Sequence, residues 1–248
     1  MKKLEVLFTP AEFEALQNRD LSHATCVVFD VLRATSTIVT ALANGAASVQ
    51  AVPSISAAVE LKKKNSNLLL AGERDGFRIT SKLTGSIDFD FGNSPREFTS
   101  NKVQGRELVI TTTNGSRAIH ACAKAKRVLI ASFLNLTSVA QNLSSTEEVL
   151  IICSGTHEEA SYEDTLGAGA LCELILPKFT DGHIADSACI ARNINQQAGD
   201  DLLAAMQFAR NGRRLLGIPE LREDVALCLK RDVYSICPTL NADKKITL

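Results

Sequence analysis

Three polar stretches hold most of the residues able to do chemistry. "DVLRATST" (30–37) sets an aspartate, an arginine and three hydroxyls side by side, "TTTNGSR" (111–117) sets hydroxyls, an amide and a glycine before an arginine, and "CSGTHEEASYEDT" (153–165) is rich in acids. The first two each lead into a helical pattern, where free N–H groups and the helix dipole favour an anion. Arg33 and Arg117 can add a two-pronged grip on a phosphoryl or sulfonate group. Arg33, Thr35, Ser36 and Thr37 therefore form one candidate cradle, and Thr111, Thr112, Thr113, Asn114, Gly115 and Arg117 a second. Taken singly, each reads equally well as a helix cap beside a surface arginine. Taken together they suit a ligand with two negative groups. Asp30 offers a carboxylate for a metal ion, a nucleophile for phosphoryl transfer, or a cap for the following turn. Glu73, Asp75, Asp88, Asp90, Glu163 and Asp164 are further hard oxygen donors of the kind Mg²⁺ takes.

Several other chemistries are excluded. No G-x-x-x-x-G-K-[ST] occurs, and "GAGALC" (167–172) fails the dinucleotide fingerprint at its last position. Glu159 stands six residues after Cys153, where a cysteine phosphatase needs arginine. The four histidines are scattered, so a histidine-rich metal centre has no support. With 27 Lys+Arg against 28 Asp+Glu, no bulk positive charge attracts nucleic acid. Seven cysteines, odd in number and without a C-x-x-C, read as reduced thiols of a cytoplasmic protein. No apolar run approaches the ~20 residues of a membrane span, and the apolar stretch after Glu5 is too short for a signal peptide.

These stretches need elements to position them. "CVVFD" is a buried strand that ends on Asp30, and "TSTIVTALANG" is a helix stopped at Asn44-Gly45. Thr9, Pro10 and Glu12 mark a helix start, and Ser54 caps another. "ELVITT", "RVLIAS" and "EVLIIC" are strands separated by helices, a long helix spans 162–176, and "VYSIC" closes the chain as a strand. Residues 72–106 have no clean period and read as a long functional loop. Strands alternating with helices predict a single α/β domain over 1–248, an α/β/α arrangement around a largely parallel or mixed sheet. Shifted by 80 residues, Ser36, Ala41, Ala43 and Ala51 fall on Ser116, Ala121, Ala123 and Ala131, which suits related halves at about 25–52 and 105–132 and equally two ordinary βα units. Ligands of open parallel sheets bind beyond the carboxyl ends of strands, where all three polar stretches lie.

In order along the chain, "FDVLRATSTIVTALANGA", "GERDG", "FDFGNSP", "TTTNGSRA" and "CSGT…SYEDTLGAGA" resemble the 2-phosphosulfolactate phosphatases. The resemblance runs from about residue 4 to "RDVYSICP". It implies a Mg²⁺-dependent phosphatase that converts 2-phospho-3-sulfolactate to 3-sulfolactate, a step of coenzyme M synthesis in some organisms. It also implies anion-binding roles for Arg33, Arg74 and Arg117, substrate contacts from Asn93 and Ser94, and metal or catalytic roles for Asp30, Glu73 and Asp164. The partner expected is a small molecule bearing several anions, with no nucleic acid and no membrane. The oligomeric state is open, a homodimer included. A phosphatase for another small phosphorylated acid, or a non-catalytic binder of such metabolites, are the competing readings.

Overall fold

Residues 2–248 are described by a computed structural model of the chain. β1 (Lys3–Leu7) leads through α1 (Pro10–Glu14) to β2 (Thr25–Phe29), α2 (Ala34–Ala43) and β3 (Ser48–Ala51). α3 (Ile55–Lys64), β4 (Leu69–Arg74), β5 (Phe77–Arg78), α4 (Ser81–Thr84) and α5 (Ser100–Val103) follow. β6 (Glu107–Thr111), α6 (Gly115–Ala121), β7 (Arg127–Ala131), α7 (Leu136–Asn142) and β8 (Glu148–Cys153) restore the strict alternation. α8 (Tyr162–Ile175), β9 (His183–Ile184), α9 (Asp186–Ala198), α10 (Leu202–Ala205), α11 (Arg210–Leu216) and α12 (Pro219–Cys228) precede a closing hairpin, β10 (Thr239–Leu240) and β11 (Ile246–Thr247).

The expected caps form. Glu12 accepts the Thr9 amide at 2.8 Å, and Ser54 Oγ accepts the Ala57 amide at 3.1 Å. α2 ends at Asn44, and Gly45 takes φ +91, a left-handed turn that other residues adopt only at a steric cost.

The strands make one mixed sheet in the order β5-β4-β6-β3-β11-β10-β7-β2-β8-β1-β9. β4, β6 and β3 are mutually parallel, as are β7, β2, β8, β1 and β9. The hairpin β10–β11 lies between the two blocks and pairs antiparallel to both. Three successive antiparallel pairings reverse the direction three times, so the blocks run in opposite senses. β3 and β7 flank the hairpin, with β6 and β2 one strand further out. The echoing segments, β2–α2–β3 and β6–α6–β7, thus each cross the hairpin, from the second strand on one side to the first strand on the other.

Side chains alternate across the sheet, as a strand requires. Val27 and Phe29 enter one apolar cluster with residues of α7, α8, α9 and α12, while Cys26 and Val28 enter another with residues of α2 and α6. Both faces are covered by helices, which is why β2 is buried at every position. A third cluster seats α3 on β4 and β6 through Val59, Leu70 and Val109. Gly167 and Gly169, tested above as a dinucleotide fingerprint, serve packing instead. A Cβ at Gly167 would stand 2.8 Å from the Phe29 ring, and one at Gly169 would stand 2.1 Å from the Ala191 carbonyl of α9.

Residues 72–106 are ordered, as read, because Ile79, Phe89, Phe91 and Phe98 are buried and anchor the segment, which also carries β5, α4 and α5. One expectation is corrected. "VYSIC" is not a strand: it makes an isolated backbone bond, Tyr234 N–H to the Leu134 carbonyl, and the ladder begins only at Thr239, after Pro238 accepts the Ile130 amide. Among the described residues no helix is long and apolar enough to cross a membrane, and all seven cysteines are free.

Candidate active site

The ends of β2, β4 and β6 meet around a cleft of about 150 Å³. Of the residues singled out in the sequence, Asp30, Arg33, Glu73, Asp75, Asn93, Thr112, Thr113 and Asn114 line it. Gly76, His157, Asn211 and Arg214 complete much of the wall.

Asp30 stands where β2 turns into α2. Its Oδ1 accepts the Ala34 amide at 3.1 Å, so the capping role is real. Oδ2 faces Gly115, where a Cβ would stand only 2.7 Å away. That glycine lets α6 approach the carboxylate. Burial, with Glu73 and Glu163 nearby, pushes the Asp30 carboxyl up to about 7, while the Ala34 and Gly115 amides oppose the shift. Asp164 is also pushed up, by burial first and then by Asp30 and Glu163. Glu163 is raised by burial as well.

Glu73 joins two loops at the rim. Oε1 accepts the Thr113 amide and hydroxyl, both at 3.0 Å, and Oε2 accepts the Gly76 amide at 2.8 Å. Arg33 is held from the other side. Its Nη1 donates to Asp224 at 2.6 Å and its Nη2 to the Gly76 carbonyl at 2.8 Å. Asp224 is fully buried on α12 and also accepts Ser94 Oγ and Arg96 Nε, each at 2.7 Å.

At the helix starts most of the hydroxyls expected to cradle an anion are spent locally, while Arg33, Thr112, Thr113 and Asn114 still line the cleft. Thr35 accepts the Asp30 amide and donates to the Asp30 carbonyl, and Ser36 donates to the Val31 carbonyl. Thr112 and Ser116 bond one another at the start of α6. Arg117, Arg74, Ser94 and Asp164 lie outside the cleft lining, as do Gly115, Glu163, Asp88 and Asp90. Arg117 forks between Glu14 and Glu158, the latter at 2.5 Å, so its charge is matched on the surface. Arg74 donates to the Glu73 carbonyl and to Thr111. Ser94 is committed to Asp224. Asp164 lies beneath the site, where it accepts the Val31 and Gly155 amides at 2.7 and 3.3 Å and ties the β2 and β8 loops together.

Asn211 and Arg214 went unread in the sequence. They sit on α11, in "ARNGRRLLG", which no strand end announces. The one signal available was the density of arginines there.

Among the described residues no group of three or more His, Cys, Asp or Glu is placed to hold a metal ion. A hard cation of the Mg²⁺ type needs only one or two carboxylates, its other ligands being water and substrate oxygens. Asp30 and Glu73 on the wall meet that need. Asn93 Oδ1 is buried without a hydrogen-bond partner and adds an oxygen. Burial raises Asp30, Glu163 and Asp164, with Glu163 adding to the rise of both aspartates, and a divalent charge nearby would oppose that shift. The donor set fits such an ion.

A family model described as 2-phosphosulpholactate phosphatase matches residues 10–243. A protein of Pseudothermotoga lettingae named "Probable 2-phosphosulfolactate phosphatase" is 38% identical over 243 residues, 98% of either chain. Proteins of the same name from Caldanaerobacter subterraneus subsp. tengcongensis and Clostridium novyi are 37% and 33% identical. They cover 94% and 98% of this chain, and 95% and 98% of their own.

Proposed function

The chain belongs to the 2-phosphosulpholactate phosphatase family and is a phosphoric monoester hydrolase. From that premise we propose that it hydrolyses 2-phospho-3-sulfolactate to 3-sulfolactate and phosphate with Mg²⁺. One observation supports this reading above the rest: the carboxylates of Asp30 and Glu73 and the guanidiniums of Arg33 and Arg214 share one small cleft. Carboxylates alone would repel a phosphate ester, and arginines alone would bind it without a place for a cation. The mixture suits a polyanion that arrives with a divalent ion.

Asp30, Glu73 and Asn93 are the residues that would hold the ion. When bound, it supplies neutralisation of the phosphoryl oxygens. Arg33 orients the phosphoryl group, since Asp224 and the Gly76 carbonyl fix its guanidinium before substrate arrives. Glu73 locks the 73–76 turn to Thr113, so both rims keep one shape. Seven free thiols agree with a cytoplasmic setting.

Phosphate release from 2-phosphosulfolactate is the test. It should proceed with Mg²⁺, stop in excess EDTA, and return when Mg²⁺ is restored. Full activity in EDTA would remove the metal from the proposal. A higher kcat/KM on a different phosphorylated acid would replace the substrate.

A further inference from the structure

Arginines around the cleft differ in how their charge is met. Arg33 and Arg96 face Asp224, Arg96 also faces Glu223, Arg117 faces Glu14 and Glu158, and Arg210 faces Glu159. Arg214 lines the cleft too, yet no carboxylate pairs with it among the described residues. Its partners are neutral. Nε and Nη2 donate to Asn211 Oδ1 at 3.3 and 3.2 Å, and Nη1 donates to the Asp75 carbonyl at 3.0 Å. A guanidinium has five N–H donors. Three are used, which leaves two, together with a full positive charge.

The support beneath it is built. Asn211 is buried, and its amide donates to the Leu32 carbonyl at 2.7 Å and to Glu163 Oε1 at 3.2 Å. That fixes the amide flip, so Oδ1 faces Arg214. Gly76 lies against the guanidinium, where a Cβ would stand 3.4 Å from Nη1. Gly76 is itself held by Glu73 and Arg33. Arg214 is thus aligned with the loop that organises the phosphoryl end of the site, and it has spare donors and unmatched charge.

Resting on the function proposed above, we infer that Arg214 is a substrate-binding, specificity-determining residue that grips the second anion of the substrate, its carboxylate or its sulfonate. Asn211 and Glu163 act as positioning residues behind it. Loss of a charge-assisted contact of this kind weakens binding by roughly 10–100-fold.

The test is calorimetric binding of three small anions to wild type and to Arg214→Gln and Arg214→Lys: 3-sulfolactate, lactate (no sulfonate) and 2-hydroxyethanesulfonate (no carboxylate). The glutamine variant should lose affinity for 3-sulfolactate and for only one of the two truncated anions, which names the group gripped. The lysine variant should recover part of the loss, because it keeps charge without the fork. Unchanged affinity for all three anions would overturn the inference. So would an equal loss for all three, since that marks a general disturbance of the site. Turnover of 2-phosphosulfolactate by wild type is measured separately. Its absence would defeat the proposed function, while the binding comparison still decides Arg214.

Discussion

The Arg33–Asp224 pair invites the sharpest perturbation. Both side chains are buried, at 2% and 0% exposure, and they meet at 2.6 Å. Asp224→Asn keeps the size and removes the charge. Arg33 is then a buried cation without a counter-charge, because Arg96 beside it is positive as well. The half-exposed Arg96 regains water, so most of the cost falls on Arg33. Breaking one partner of a buried pair costs about 3–5 kcal/mol, a large share of the roughly 5–15 kcal/mol that holds a domain together. In urea, at a slope of about 3 kcal/mol per molar, the unfolding midpoint should fall by about 1–2 M. Circular dichroism across a urea series reads this directly. Arg33→Met combined with Asp224→Leu should recover most of the stability, since an apolar pair of similar volume has no charge to bury. Turnover should stay lost, because Arg33 lines the cleft. A single-variant loss below about 1 kcal/mol, the scale of an exposed pair, would refute the reasoning. So would a double variant that regains activity.

Asp30→Asn should abolish phosphate release, and in chelator it should raise the Tm in a pH-dependent way. The Asp30 carboxyl sits near 7 in the fold against an ordinary value of 3.8. Between those values the unfolded chain gives up a proton that the native state keeps, so wild type loses stability as pH rises. The variant lacks that loss; its Tm advantage should grow from about pH 4 to about pH 7 and then level off, and a pH-independent difference would count against the assignment. Arg117→Ala should leave kcat/KM within about threefold of wild type, since exposed ion pairs contribute little. A hundredfold drop would restore Arg117 to the anion-binding role expected from its sequence context.

Short-range information was legible in the sequence, because local rules govern it. Unbroken apolar runs gave β2, β7 and β8, cap residues placed α1 and α3, and Asn44-Gly45 ended α2. The polar turn after β2 was recognisable as a site because a strand end beside Asp30 and Arg33 can present both side chains. The division of labour among the arginines was not legible. Arg33, Arg117 and Arg214 have the same side chain, and what separates them is the acid that folding brings to each. Asp224 lies 191 residues from Arg33, and Glu14 lies 103 residues from Arg117. No comparable acid reaches Arg214 among the described residues. Hydroxyls that looked free at the helix starts are spent on the backbone within five residues. The opposite sense of the two sheet blocks was likewise undetermined, since it depends on a closing hairpin of two-residue strands too short to carry a periodic signal. Local pattern thus names the elements and the polar turns. Which charges remain unneutralised is a property of long-range pairing, and that only the tertiary structure decides.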